Sequence, residues 1–145
     1  MRGLTLEQSE NIIKACKSII SEMILPPMTV VVLDSGGVLK VAYSEDGSGT
    51  LRYKIAFGKA NASLGMGFNS GEFSNYIKRG ILSDSFAQSI NGAASGDFIP
   101  VPGGCLIIDK SKKVLGAIGI SGASSHIDEE IAINAINQCG LGSEI

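Results

Sequence analysis

Residues 116–130 carry the densest set of groups that could bind or transform a ligand. Gly119, Ser121 and Gly122 lie where a strand is predicted to turn into a helix, and Ser124 and Ser125 add hydroxyl groups at the start of that helix. Free N–H groups and the helix dipole at such a point attract a carboxylate or a phosphate. The same residues could instead form only a tight turn, because serines commonly cap helices without any ligand.

His126 is the single histidine of the chain, and it falls in the first turn of this predicted helix. His126 and Glu130 are four residues apart, so both side chains can point the same way. The histidine could be half of a metal site, a haem axial ligand or a general base, or it could be an ordinary exposed residue. Because the sequence nominates no further ligands, we predict no metal site. His126 and Glu129 are the candidate catalytic residues.

Two further segments could contribute to a ligand site. Pro102 followed by Gly103 and Gly104 could present backbone N–H groups as an anion-binding nest, or could serve only as a rigid entry to the next strand. Lys59 lies among small residues of a predicted helix. It could pair with a ligand carboxylate, or it could be a surface lysine, since lysine is rarely buried.

The elements that would position these groups follow from hydrophobic periodicity and turn residues. The predicted order is α-ββ-α-α-(α)-ββ-α, with short turns between paired strands, so the strands are expected to be antiparallel. This is an α+β fold, in which helices flank an antiparallel sheet. The predicted strands are 28–33, 38–44, 105–109 and 114–121. The predicted helices are one begun by a capping box at Thr5, one capped by Thr50 and running to about Leu64, one over 72–78 capped by Ser70, a helical turn from 83 to Ile90, and one capped by Ser124. A loop is predicted over 91–97.

Composition excludes several classes of protein. The 145 residues fit one domain, 1–145, and the net charge of −2 leaves no concentrated basic face for nucleic acid. No apolar run approaches the roughly 20 residues of a membrane span, and no secretory signal is visible at the start. The three cysteines are far apart and odd in number, which favours free thiols in a cytoplasmic protein. We therefore expect neither a nucleic-acid nor a membrane partner.

Several segments, taken in order, resemble the haem-degrading-domain family, which includes GlcG-like and HbpS-like proteins and the C-terminal domain of PduO. The resemblance covers nearly the whole chain, and each motif is weak by itself. The segments are 4–8 before the first helix, 32–39, Lys59-Ala60, 100–104, 116–122 and 128–132.

The resemblance implies an α-β sandwich with profilin-like or PAS-like layering that assembles into homo-oligomers. Some members bind or degrade haem, some bind corrinoid-related partners, and many belong to catabolic gene clusters. Carried over by position, the matching residues are Lys59, Gly103, Gly104, Gly119, Ser121, Gly122, Asp128 and Glu129.

The chain departs from the family pattern in two places. The segment between Gly65 and Asn91 does not match, and Cys16 and Lys17 stand where the family has a histidine on the first helix. A haem site in this chain would therefore depend on His126, a cysteine, Met66 or a tyrosine.

Three hypotheses follow. The first is a small-ligand-binding protein, with haem or a related tetrapyrrole as the possible ligand. The second is a cofactor-independent isomerase, lyase or hydratase that acts on a small carboxylate or hydroxy acid. Lys59 and residues 121–125 would hold the acid group, and His126 or Glu129 would move the proton. The third is an oligomeric accessory protein of a catabolic pathway, whose glycines serve only packing.

Overall fold

Four antiparallel strands form one sheet in the order β2-β1-β4-β3. The structure, a computed structural model, describes residues 3–144. The strands are β1 (Thr29–Asp34), β2 (Leu39–Ser44), β3 (Gly104–Ile108) and β4 (Val114–Ser121), and the helices are α1 (Leu6–Ser21), α2 (Arg52–Met66), α3 (Glu72–Lys78), α4 (Asp84–Ala93) and α5 (Ser125–Gln138). The predicted α+β class, with helices flanking an antiparallel sheet, is confirmed.

Strand β1 is buried on both faces, as its continuous run of apolar residues predicts. Because side chains alternate across a strand, Val30 and Val32 face a core shared with α1 and α5, whereas Val31 and Leu33 face α2. The sheet therefore lies between a pair of helices on one side and the single helix α2 on the other.

Two helix starts differ from the prediction. Helix α2 begins at Arg52 after Leu51, without a side-chain cap, so the capping role predicted for Thr50 is wrong. Ser70 does not cap α3, because its buried hydroxyl instead donates to the carbonyl oxygen of Val101 (2.6 Å) and accepts from the amide of Gly104 (2.9 Å). The caps at Thr5 and Ser124 form as predicted.

Helix α4 runs to Ala93, so the prediction of one turn ending at Ile90 and a loop from 91 to 97 was too short. Residues 91–93 include no proline, so each can donate its backbone N–H within the helix. After the C-cap Ala94, the backbone turns left-handed at Ser95 and Gly96, where φ is 55° and 85°. Helices α3 and α4 pack on the outer side of α2 through a separate cluster that is built on Ala62, Phe73 and Phe98.

Candidate functional site

The turn from β4 into α5 brings the predicted ligand-binding region next to α2. Gly122 has φ 147°, and a Cβ atom there would lie 2.6 Å from the carbonyl oxygen of Pro27, so only glycine fits this position. The Ser124 hydroxyl accepts a hydrogen bond from the amide of Ile127 at 3.4 Å, which fixes the first turn of α5. This turn aims Asp128 inward.

Lys59 and Asp128 form a buried ion pair at this point. The Lys59 Nζ atom lies 3.0 Å from Asp128 Oδ2 and donates to the carbonyl oxygen of Ile120 at 2.9 Å. Asp128 Oδ1 accepts from the amide of Ala123 at 3.0 Å. Lys59 is 2% exposed and Asp128 is 1% exposed, so the surface alternative considered for Lys59 is wrong.

This pair already satisfies the groups that were expected to bind a ligand. Burial lowers the pKa of Lys59, and the Asp128 carboxylate opposes that effect. The carboxylate that Lys59 and the Ala123 amide bind is therefore that of Asp128 and not that of a ligand. A substrate carboxylate would have to displace Asp128 from Lys59, so the geometry gives no support to the proton-transfer hypothesis.

The predicted site glycines of the sheet lie against the backbone of α2. A Cβ atom on Gly119 would overlap the carbonyl oxygen of Ala56, and one on Gly104 would overlap the carbonyl oxygen of Lys59. At Gly103, with φ 127°, a Cβ atom would lie 2.7 Å from Lys59 Nζ. These glycines allow a helix to approach a sheet more closely than side chains would permit.

Ser121 lies at the end of β4 in a cluster of hydroxyl groups. It is fully buried and accepts a hydrogen bond from Arg52 Nη1 at 3.0 Å. The neighbouring Thr29 hydroxyl is 2.8 Å from the hydroxyl of Ser44 and 2.7 Å from that of Ser48. The cluster ties the start of α2 to the sheet.

His126 and Glu129 remain nearer the surface. His126 is exposed and Glu129 is half-buried, beside the positions of Gly71 and Pro102. Partial burial raises the pKa of Glu129; the nearby His126 opposes this effect, and the Glu72 carboxylate reinforces it.

The ten predicted site residues therefore divide into two groups. Six are buried in the contact between α2, the sheet and the start of α5, and they are Lys59, Gly103, Gly104, Gly119, Ser121 and Gly122. Four are accessible on α5 and its cap, and they are Ser124, Ser125, His126 and Glu129. Within residues 3–144, no group of three or more His, Cys, Asp or Glu side chains is placed to hold a metal ion.

The sequence analysis did not identify the grooves on either side of α4. One has a volume of about 300 Å³ and is lined by Met66, Ile90 and Phe98 together with alanines of α2 and α4. The other, of about 440 Å³, lies between α4 and the segment of Ile99 and Pro100 and also reaches Phe98. The three-to-four spacing of apolar residues on α4 could have predicted that this helix packs against another part of the protein. The spacing does not show which part that is, so it could not locate the grooves.

The side chains that could ligate a haem iron differ in access. Cys16 and Cys105 are fully buried, and burial raises the pKa of both thiols, to about 12 for Cys16. Thiolate ligation by either is therefore disfavoured at neutral pH. Met66 is half-buried in the wall of an apolar groove, and His126 is exposed. A thioether in an apolar wall and an accessible imidazole both suit haem iron, so residues of this chain fit that group.

A family model described as "Haem degrading protein HbpS-like" matches residues 4–137. The chain belongs to the HbpS-like family. This confirms the family resemblance that the sequence motifs carry. No curated protein sequence matches the chain significantly.

Solved structures of other proteins share the fold. A PduOC–haem complex superposes with a TM-score of 0.85 at 20% identity, over 99% of this chain and 99% of that chain. The ORFY protein of Klebsiella pneumoniae gives 0.84 at 19% identity, over 97% and 92% of the two chains. A double mutant of HbpS from Streptomyces reticuli gives 0.76 at 22% identity, over 95% and 88%.

Among the described residues of the chain, no helix is long and apolar enough to cross a membrane.

Proposed function

We propose that this member of the HbpS-like family is a small-ligand-binding protein whose ligand is haem or a related tetrapyrrole. The observation that carries the proposal is the family match over residues 4–137. The similar PduOC structure, which contains haem, supports it, as do the exposed imidazole of His126 and the half-buried thioether of Met66. When bound, haem would supply an iron centre, and this chain would supply an apolar wall and an iron ligand.

The test is a titration of the purified protein with hemin, followed through the Soret band. We expect saturable binding with a Soret shift at micromolar hemin. No shift in that range would contradict the haem proposal. A matching titration with iron-free protoporphyrin IX separates recognition of the ring from ligation of the iron.

Two variants identify the iron ligand. If His126 ligates, His126→Ala changes the spectrum of the hemin complex, whereas Met66→Leu does not. If Met66 ligates, the reverse holds. Glu130→Ala, an exposed change on the same helix, is the control. If neither variant alters the spectrum, both residues are excluded as ligands of the iron. Ser124, Ser125 and Glu129 are proposed to contact the ligand only if His126 does.

Two wider assignments belong to the same proposal. We infer a homo-oligomer, supported by the apolar side chains of Val38 and Leu39, which are 59% and 44% exposed at the start of the outer strand β2. We infer a cytoplasmic location, supported by three free cysteines. Sedimentation at micromolar concentration tests the first, with a monomer contradicting it, and cell fractionation tests the second.

A further inference from the structure

Helix α4 is attached to its surroundings by side-chain packing alone within the described part of the chain. None of its ten residues is buried. Its hydrogen bonds are local, such as the bond from Phe86 N to the Ser83 hydroxyl (3.1 Å) and that from the Ser89 hydroxyl to the Ser85 carbonyl (2.8 Å). The helix can therefore move away from α2 without breaking a hydrogen bond to another element.

The chain on each side of α4 provides a natural hinge. Gly80 precedes the helix with φ 74°, and Ser95 and Gly96 follow it with φ 55° and 85°. Directly after this second turn the chain is fixed to α2, because Asn61 Nδ2 donates to the Asp97 carbonyl oxygen at 2.7 Å. If α4 moves, residues 95–96 would therefore act as the hinge and take up the change in backbone angles.

The two grooves beside α4 meet at Phe98, which is 5% exposed and lines both. Ile90 of α4 and Ala94, which follows the helix, pack against the cluster that contains this phenylalanine. Movement of α4 would join the two grooves into one apolar cleft with the Met66 thioether in its wall. The α2 wall of the first groove combines the small residues Ala62 and Gly65 with the longer side chains of Asn61 and Met66.

We propose that α4 is a lid over this cleft, and that the tetrapyrrole ring of the proposed function binds between α4 and α2, against Phe98. This inference rests on the proposed function for the identity of the ligand, and it takes Met66 as the iron ligand, because His126 lines neither groove. A planar apolar ring suits the cleft because it replaces the contacts that Phe98 and Ile90 lose when the lid opens. Local opening of a weakly attached helix supplies the entry path.

The lid is tested without ligand by two cysteine variants. Ala62 and Ala60 lie two residues apart on α2 and are both buried, but Ala62 packs under α3 and α4 whereas Ala60 packs against the sheet. We expect iodoacetamide to label Ala62→Cys at least roughly tenfold faster than Ala60→Cys. Peptide mass mapping distinguishes these sites from the native cysteines.

Equal labelling of the two variants would overturn the lid. If either variant fails to fold, hydrogen exchange of the wild-type protein decides the same question. The lid predicts fast exchange of the amides of α4 and slow exchange of those of α2 between residues 56 and 63. Equally slow exchange in both helices would contradict it.

The ligand site is tested by filling the cleft with tryptophan. Ala93 and Ser89 are both exposed residues of α4, but Ala93 lines the groove shared by α2 and α4, whereas Ser89 lines neither groove. We expect Ala93→Trp to weaken hemin binding at least tenfold and Ser89→Trp to leave it unchanged.

Each outcome separates the site from the function. If the wild-type protein binds hemin and both tryptophan variants bind equally well, the cleft is wrong and the proposed function stands. If the wild-type protein does not bind hemin, the proposed function and this ligand assignment both fail, and the labelling ratio still decides the lid.

Discussion

Helix α2 contacts the sheet on one side and the α3–α4 segment on the other, and the two contacts are built differently. Against the sheet, its backbone lies directly on Gly104 and Gly119, and the buried Lys59–Asp128 pair links it to α5. Against α3 and α4, the contact is a small apolar cluster around Phe98 with a groove on each side. Close backbone packing leaves no room for a ligand, whereas the looser contact does.

The largest expected effect is on the side of the sheet. Asp128→Ala should destabilise the protein by about 3–5 kcal/mol, because it leaves the Lys59 ammonium buried without its partner. The free energy of unfolding in urea measures this effect. In a double-mutant cycle with Lys59→Met, the second change should cost much less than it does alone. Additive costs would show that the two side chains do not stabilise each other.

Replacing a glycine by alanine should lower the stability on the sheet side of α2 and raise it on the other side. Gly119→Ala should destabilise by about 1–3 kcal/mol or more, because the new methyl group overlaps the Ala56 carbonyl oxygen. Gly65→Ala, at an exposed helical position with nothing within 4 Å of its Cβ, should stabilise by about 0.5–1 kcal/mol. Thermal unfolding of both variants is the measurement. Equal effects would show that the glycine pattern has no packing role.

Two serine caps provide a finer comparison. Ser124→Ala should lower the global stability by about 0.5–2 kcal/mol, since α5 belongs to the main core. Ser83→Ala removes the equivalent cap of α4. It should speed hydrogen exchange within α4 and leave the global unfolding transition nearly unchanged. A loss of global stability equal to that of Ser124→Ala would show that α4 unfolds together with the core.

The smallest expected effect concerns pH. The pKa of Glu129 is raised by burial, so the folded state binds this proton more tightly than the unfolded state. Glu129 therefore favours folding at pH values below its ordinary pKa, and this contribution is lost as the pH rises through the folded pKa.

Glu129→Gln removes this titration. We expect the free energy of unfolding of the variant, minus that of the wild-type protein, to be larger at pH 7 than at pH 4. Urea unfolding of both proteins at both pH values measures this difference. The control is Glu130→Gln on the exposed side of the same helix. A wild-type-to-variant difference that does not change with pH would contradict the role of burial.

The local elements were largely predictable. The apolar run of β1, the capping box at Thr5 and the Ser124 cap all form where the sequence places them, since each depends on residues a few positions apart. The start of α2 was mispredicted, because Thr50 has the preferred chemistry of a cap but Leu51 occupies the capping position.

The candidate site was predictable only as a set of residues. The glycines, Lys59 and the start of α5 do converge, but Lys59 and Asp128 are 69 positions apart in the sequence. Nothing local indicates that they would bind each other rather than a ligand. A helical turn from residue 83 to Ile90 was likewise predicted, whereas the grooves beside α4 depend on where α2 and Phe98 lie.

The sequence by itself determined the family and the α+β class. Periodicity, caps and turn residues act over short distances along the chain, so they can be read from it directly. Only the tertiary structure decided which glycines accommodate a helix, which carboxylate pairs with Lys59 and where an apolar cleft is left. Those outcomes depend on the volume between elements that are distant in the sequence, and the packing of the whole chain sets that volume.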